Sequence, residues 1–266
     1  MTGFIGGGNM AEALIKGIRM GQGGKVEEEI IVSEPSAERR SQLEKNYGVK
    51  TTASNTEVVS ACNIIILAVK PQIMDKVLDE IKDLVDNSKT VVSIAAGITL
   101  SYLGSKLRTD KLIRVMPNTP ALVQEGMSVI SLCDCFNGRE LDTVRSILMS
   151  VGKVITLPER LMNAVTAVSG SGPAFFALFV EAMAASGEKM GLSGSNASEL
   201  AVQTFIGTAK MLEAGMPPEK LRKMVTSPGG TTEAGLKTFA ERDLYGVVLS
   251  ALESAEKRAV ELGRTS

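Results

Sequence analysis

Phe4-Ile5-Gly6-Gly7-Gly8-Asn9-Met10-Ala11 is the stretch on which the fold turns. Phe4 and Ile5 close a short strand-like run, and Ala11, Leu14, Ile15 and Ile18 then recur at helical spacing, so the glycines lie between a strand and a helix. Residues 6–11 fit G-x-G-x-x-(G/A) in the context that a dinucleotide fingerprint requires. Gly6 permits the tight turn, Gly8 lets backbone approach a pyrophosphate, and Ala11 lets helix and strand pack closely, with phosphates on the helix N-terminus. Gly7, Asn9 and Met10 complete the expected cofactor loop.

Outward from this motif, Ile30-Ile31-Val32 reads as a second buried strand, followed by Ser33, Glu34 and a polar helix carrying Arg39 and Arg40. An acidic side chain at this strand end suits a ribose 2′-hydroxyl, whereas arginine and serine suit a 2′-phosphate. The signals conflict: Glu34 favours NAD, while Ser33, Ser36, Arg39 and Arg40 are compatible with NADP, and the arginines also read as plain surface charge. Further short apolar runs at residues 64–69, 91–94 and 112–115 alternate with helical or turn segments, which predicts a parallel sheet with helices on both faces. Lys70-Pro71, Ala95-Ala96-Gly97 and Met116-Pro117-Asn118-Thr119-Pro120 end three of these strands, where an open α/β sheet binds its ligand.

From about Pro158 the strand-like runs stop, and apolar positions recur at three and four through residues 161–168, 174–190, 200–212, 221–225 and 244–262. The expected division is therefore a nucleotide-binding domain over 1–157 and a helical domain over 158–266. Phe175, Phe176, Leu178, Phe179 and Val180, like Val202, Phe205, Ile206, Ala209 and Leu212, exceed what one buried face needs, and predict a partner subunit on this half. Ser169-Gly170-Ser171-Gly172-Pro173 reads as a kink or break in a long helix.

Composition removes several chemistries. With 29 basic and 30 acidic residues, a net charge of −1, 4% aromatics and no tryptophan, the chain of 266 residues offers no face for nucleic acid. Its longest uninterrupted apolar runs fall far short of the roughly 20 residues of a spanning helix, so no membrane segment is expected. Met1-Thr2-Gly3-Phe4-Ile5 leads almost directly into the glycine motif without a basic, apolar leader, and a cytoplasmic protein is expected. Cys62, Cys133 and Cys135 cannot all pair, and Cys133-x-Cys135 lacks the spacer of zinc or thioredoxin motifs; core or loop thiols and no metal are expected. The absence of histidine excludes Ser/His/Asp and Cys/His catalysis and any histidine proton shuttle. A proton moved here comes from a carboxyl, lysine, tyrosine, hydroxyl or water.

Ser227-Pro228-Gly229-Gly230-Thr231-Thr232 interrupts the helical half. Consecutive glycines let backbone N–H groups form a concave nest, and the following helix start adds orphan donors and a positive dipole end, so the loop suits a small anion. Equally, it reads as an interhelical turn in which Thr231 or Thr232 caps the next helix.

Taken together, residues 6–11, Ala68-Val69-Lys70-Pro71, Met116-Pro117-Asn118-Thr119-Pro120, Ser169-Gly170-Ser171-Gly172-Pro173 and Ser227-Pro228-Gly229-Gly230-Thr231-Thr232 resemble the pyrroline-5-carboxylate reductase family, in order and over nearly the whole chain. The resemblance implies an α/β fold, an N-terminal Rossmann-type parallel sheet with a C-terminal all-α dimerisation domain, the homodimers often assembling into rings such as a decamer. It implies reduction of L-1-pyrroline-5-carboxylate to L-proline by NADPH or NADH, the last step of proline synthesis. It places Ser227, Gly230 and Thr231 on the substrate carboxylate and the Thr232 hydroxyl toward the imine nitrogen. It also places Asn55 at the adenosine side of the cofactor, and Ala68, Val69, Lys70 and Pro71 along its nicotinamide half. Glu34 departs from a common family residue. A β-hydroxyacid type of dehydrogenase would need a lysine on the long interdomain helix, and residues 168–188 contain none; a silent nucleotide-binding protein would bind NAD(P) without consuming it.

Overall fold

The computed structural model describes residues 1–20, 29–133, 136 and 139–264. They separate into two compact units, Met1–Ser171 with Ser254–Ser266, and Gly172–Glu253. The strands end before residue 158 as expected, but compactness keeps residues 158–171 and the chain's last stretch with the sheet. Met162 and Ala167 of this helical segment are buried.

The first unit runs β1 (Thr2–Ile5), α1 (Asn9–Met20), β2 (Ile30–Ser33), α2 (Ala37–Tyr47), β3 (Lys50–Thr52), α3 (Asn55–Ala61), β4 (Ile64–Leu67), α4 (Met74–Ile81), β5 (Thr90–Ser93), α5 (Leu100–Lys106), β6 (Leu112–Met116), β7 (Gly126–Leu132), α6 (Glu140–Met149), β8 (Gly152–Thr156) and α7 (Met162–Val165). The eight strands form one sheet in the order β3-β2-β1-β4-β5-β6-β7-β8. Thr2 pairs with Ile30 on one side and Ile64 on the other, so the strand order reverses at β1, and the crevice beyond its carboxyl end is the ligand position of this architecture.

Neighbouring strands are parallel except β6 and β7, which are antiparallel. The sheet is thus the parallel-dominated one expected, with one antiparallel step, and β3, β7 and β8 extend it. The link over residues 117–125 is too short for the crossover of a dozen or more residues that a parallel pair needs.

Period-2 geometry explains the near-continuous apolar strands. Phe4, Ile64, Ile66, Val92 and Ile113 face a core built with α1, α2 and α6, while Ile5, Ile65, Leu67, Val91 and Leu112 face one built with α3, α4 and α5. Each such side chain, fully buried, contributes about 1.5–3 kcal/mol, which fixes the register against slippage. Arg114 in β6 is a buried charge in this sheet, with a side chain 4% exposed; its Nη1 donates to Glu159 at 3.1 Å, and the same carboxylate oxygen accepts from the Leu100 N–H at 2.7 Å. Burial pulls the guanidinium's pKa down, and Glu159 opposes that shift. Cys62 is a buried thiol as expected, whereas Cys133 is disulfide-bonded, correcting the thiol reading there; Cys135 lies outside the described residues.

The second unit contains α8 (Gly172–Lys189), α9 (Gly194–Glu213), α10 (Pro218–Met224), α11 (Thr231–Glu241) and the first part of α12 (Leu244–Arg264). Phe176 of α8 meets Phe205 of α9 with centroids 5.6 Å apart, and Phe179 meets Phe239 of α11 at 6.2 Å. Much of the apolar surface stays exposed, including Leu178, Leu200, Val247 and Leu249. The helical stretch Glu159–Lys189 contains an 18-residue window of mean hydropathy 1.3, enough by length and composition alone to cross a membrane.

Candidate functional site

Tight geometry makes the first glycine loop part of the sheet's core. Gly6 has φ +99°, its N–H donates to the Ser33 carbonyl at 2.9 Å, and a Cβ there would lie 2.8 Å from the Ala68 carbonyl oxygen and 3.0 Å from Val69 Cγ1. Only glycine satisfies both the backbone angle and the space. A Cβ on Gly8, by contrast, would meet nothing within 4 Å. The first bond of α1 runs from the Glu12 N–H to the Gly8 carbonyl at 2.9 Å, leaving the amides of Asn9, Met10 and Ala11 without helical acceptors. Ala11 is fully buried against the sheet, and Met10 packs on the same core. An open Gly8 beside a helix N-terminus with spare donors fits a pyrophosphate.

Around this loop lies a polar network that the sequence named only in part. Glu34 accepts from the Gly7 N–H through Oε2 and from the Ser36 N–H through Oε1, each at 3.0 Å. Arg39 donates from Nε to the Gly7 carbonyl at 2.7 Å and from Nη2 to Glu12 at 2.5 Å, and the Tyr47 hydroxyl donates to the other Glu12 oxygen at 2.8 Å. Burial works to raise the Glu12 carboxyl's pKa, but the hydrogen bonds from Arg39 and Tyr47 and the Arg39 charge hold it below the usual range. Arg40 donates to the Glu34 carbonyl at 2.7 Å and to that of Pro35 at 2.9 Å. Ser33 and Asn55, both expected at the cofactor, are joined directly, the Ser33 hydroxyl donating to Asn55 Oδ1 at 2.6 Å. Glu12 escaped the sequence reading; its signal is an acidic residue in the first turn of the helix that the glycine motif opens.

At the neighbouring carboxyl ends, Ala68 N–H donates to the Ile5 carbonyl at 2.8 Å, which seats Ala68 and Val69 against Gly6. Lys70 and Pro71 turn away into a short 3₁₀ helix, with Lys70 exposed. Beyond β6, Asn118 accepts from the Met127 N–H at 2.8 Å and donates to Ser169 Oγ at 3.3 Å. Ser169 lies in a π-helical turn, Thr166–Gly170, marked by a Ser171 N–H to Thr166 carbonyl bond at 2.9 Å. The expected kink is therefore a widened turn rather than a break, a form that recurs at functional sites.

In the second unit, the Gly230 N–H donates to the Ser227 carbonyl at 3.0 Å, with Pro228 next and Gly229 at φ +68°. This is the residue pattern of a type II turn. Gly230 is the N-cap of α11 and makes no side-chain cap; Thr231 and Thr232 are the first helical residues. Neither threonine caps the helix, which leaves their hydroxyls available, Thr232 half-buried and Thr231 exposed. Because the Gly230 amide is already used, the donors that remain are the amides of Thr231, Thr232 and Glu233 and the hydroxyls of the loop. Glu233, unremarked in the sequence, accepts from the Gly229 N–H through Oε2 at 2.7 Å. Its signal is the N3 spacing of a capping box.

Among the described residues no cluster of three or more Cys, Asp or Glu side chains could hold a metal ion. Residues 159–262 match the family described as pyrroline-5-carboxylate reductase dimerisation, and residues 1–97 match the one described as NADP oxidoreductase coenzyme F420-dependent. A pyrroline-5-carboxylate reductase of Synechocystis is 40% identical over 98% of this chain and 98% of its own length. The structure of Plasmodium falciparum pyrroline carboxylate reductase with NADP bound superposes with a TM-score of 0.87 at 33% identity, covering 98% of this chain and 97% of that one. That of the Coxiella burnetii pyrroline-5-carboxylate reductase gives 0.90 at 34% identity, covering 98% and 97%. With fold, glycine loops and relatives in agreement over almost its full length, the chain belongs to the pyrroline-5-carboxylate reductase family.

Proposed function

We propose that this chain is a pyrroline-5-carboxylate reductase, reducing L-1-pyrroline-5-carboxylate to L-proline with NADPH, and accepting NADH, as the last step of proline synthesis. The observation that carries this reading is the 40% identity to a reductase over 98% of the chain. The bound nicotinamide supplies a hydride to the carbon of the cyclic C=N bond, and a proton ends on its nitrogen. A protonated imine is already electrophilic, so the protein's task is positioning, which suits a chain without histidine.

The dinucleotide is assigned to Gly6, Gly7, Gly8, Asn9, Met10 and Ala11 for its phosphates, to Ser33 and Asn55 for its adenosine side, and to Ala68, Val69, Lys70 and Pro71 for its nicotinamide half. Ser227, Gly230 and Thr231 hold the substrate carboxylate, with the amides at the start of α11 strengthening the hold through charge-assisted hydrogen bonds. Thr232, whose hydroxyl makes no cap, donates to the ring nitrogen or orients a water toward it. The chain works in the cytoplasm as a homodimer, its dimers joining into a ring such as a decamer, with the exposed apolar faces of α8, α9 and α12 buried against a partner subunit rather than lipid.

The test is the loss of reduced-nicotinamide absorbance with pyrroline-5-carboxylate, coupled to proline formation. Thr232→Ala is expected to lower kcat by roughly 10²-fold while carboxylate binding persists, the range of one positioned proton donor. A flat trace with both dinucleotides removes the reductase reading, and wild-type turnover in Thr232→Ala removes the role of that hydroxyl.

A further inference from the structure

We infer that the last turn of α12 is a positioning element for hydride transfer, holding the loop after β5 at a set distance from the nicotinamide through the contact of Gly263 on Gly97. The inference rests on the reductase reading in taking Ala68, Val69, Lys70 and Pro71 as the nicotinamide side of the site. Three strand-end loops stand in a row at the sheet's carboxyl edge, joined by backbone hydrogen bonds. The Ala68 N–H donates to the Ile5 carbonyl at 2.8 Å, and the Ile94 N–H donates to the Leu67 carbonyl at 3.2 Å. The segment 94–99, between β5 and α5, is therefore the immediate neighbour of the nicotinamide segment.

The ends of this segment are tied by their own neighbours. Ser93 Oγ accepts from the Ala95 N–H at 3.4 Å, Ile98 is fully buried in the core built with α3, α4 and α5, and Thr99 Oγ1 caps α5 by accepting from the Tyr102 N–H at 3.1 Å. Its middle is supported from the far end of the chain, by the part of α12 that belongs to the first unit. Gly97 is buried at φ +82°, and a Cβ there would lie 2.9 Å from the Gly263 nitrogen and 3.1 Å from Leu262 Cβ. A Cβ on Gly263 would in turn lie 2.5 Å from the Gly97 carbonyl oxygen. Ala259, one turn before Gly263 on the same helix face, is 2% exposed. Backbone thus meets backbone, with no side chain between to absorb a displacement, and a closely packed interior transmits strain. The phosphates and the adenosine side are assigned to residues 6–11, Ser33 and Asn55, so this contact bears on the reacting end of the dinucleotide. There a misplacement of about 1 Å costs roughly 10²-fold in rate.

Three measurements test this on wild type, Gly263→Ala and Gly104→Ala: single-turnover absorbance traces with enzyme in excess, fluorescence titration of NADPH without substrate, and hydrogen exchange without dinucleotide. A Cβ on Gly104, in α5, meets only Leu112 Cδ1 at an ordinary 3.6 Å, and this variant is expected to match wild type throughout. Gly263→Ala is expected to lower the single-turnover rate constant about fivefold or more, with the Kd for NADPH within about twofold of wild type. Its amides over 94–99 are expected to exchange about fivefold faster or more, and those over 2–20 at wild-type rates. An unfolded fraction would lower the amplitude of the trace and leave the rate constant of the folded molecules unchanged, so loss of stability alone does not imitate the result. Should Gly263→Ala not fold, Ala259→Gly decides; it loosens the same seat, and its rate constant is expected to fall about twofold or more. A smaller fall in the deciding variant, wild-type exchange over 94–99 in Gly263→Ala, an equal fall in Gly104→Ala, or a loss of NADPH affinity as large as the loss of rate overturns the inference. Wild type that oxidises no NADPH with pyrroline-5-carboxylate instead removes the reductase reading, whereas a wild-type rate constant in Gly263→Ala removes only the role of the α12 turn.

Discussion

The two glycine loops share a chemical design and differ in how much of the fold depends on them. Each presents backbone amides at a helix start, and each has one of those amides held by a carboxylate of the chain itself, Glu34 on Gly7 and Glu233 on Gly229. The first loop is wedged against backbone: Gly6 lies under the Ala68 carbonyl, and its partners come from β2 and β4. The second is local and exposed, its turn closed by Ser227 and Gly230 and its carboxylate only four residues along the chain. Binding and folding are therefore inseparable in the first loop and separable in the second.

Substituting one glycine in each loop tests that difference at its largest. Gly6→Ala forces a Cβ toward a carbonyl oxygen at 2.8 Å from a backbone at φ +99°. Strain and overpacking together cost about 2–5 kcal/mol. Calorimetry should show a melting temperature lower by roughly 5–15 °C, with dinucleotide affinity lost in parallel. Gly230→Ala has an ordinary φ of −84° and meets chiefly the Ser227 hydroxyl, a movable group. Its expected result is a KM for pyrroline-5-carboxylate raised about tenfold, because the added methyl displaces the Ser227 hydroxyl and with it one charge-assisted hydrogen bond to the carboxylate, with the melting temperature nearly unchanged. Equal thermal losses in the two variants would end the distinction.

The sequence made both loops legible because glycines, prolines and hydroxyls at fixed spacing act through backbone geometry, which is local. It also showed five of the strands, since a strand buried on both faces is an apolar run whatever its partners. The short β3, and β7 and β8 beyond the antiparallel step, were not visible: Gly126-Met127-Ser128-Val129-Ile130-Ser131-Leu132 mixes serine into the pattern, and its serines 128 and 131 are nevertheless buried. Glu34 was noticed as a possible ribose ligand, but its hold on Gly7 joins residues 27 apart, and no spacing rule reports such a contact. Glu12 is hidden for the same reason, its partners Arg39 and Tyr47 lying on α2.

That long-range network gives the first loop a pH dependence. The Glu12 carboxyl is held below its usual range in the folded state, so its contribution is fully present above the unfolded value of about 4.3 and is lost as pH falls through the lower folded value. At neutral pH, for a side chain 23% exposed, this is about 1 kcal/mol. Urea melts at neutral and acid pH should show Glu12→Gln less stable than wild type at neutral pH, with the gap closing below about pH 4. A gap that stays constant across that range would mean that the Arg39 clamp does not depend on the charge of Glu12.

Glu233 offers the smallest effect and the sharpest contrast with Glu34. Its carboxylate sits at the positive end of α11, where it stabilises the helix by about 0.3–1 kcal/mol. The same charge faces the amides that the substrate carboxylate needs, so helix stability and substrate affinity oppose each other at this residue. Glu233→Gln removes the charge and keeps an acceptor for the Gly229 N–H. Steady-state kinetics should show KM for pyrroline-5-carboxylate falling about two- to fivefold at constant kcat, while the melting temperature drops slightly. A rise in KM would reverse the argument: Glu233 would then support the loop's shape more than it repels the substrate, and the second loop, like the first, would need its own carboxylate to bind.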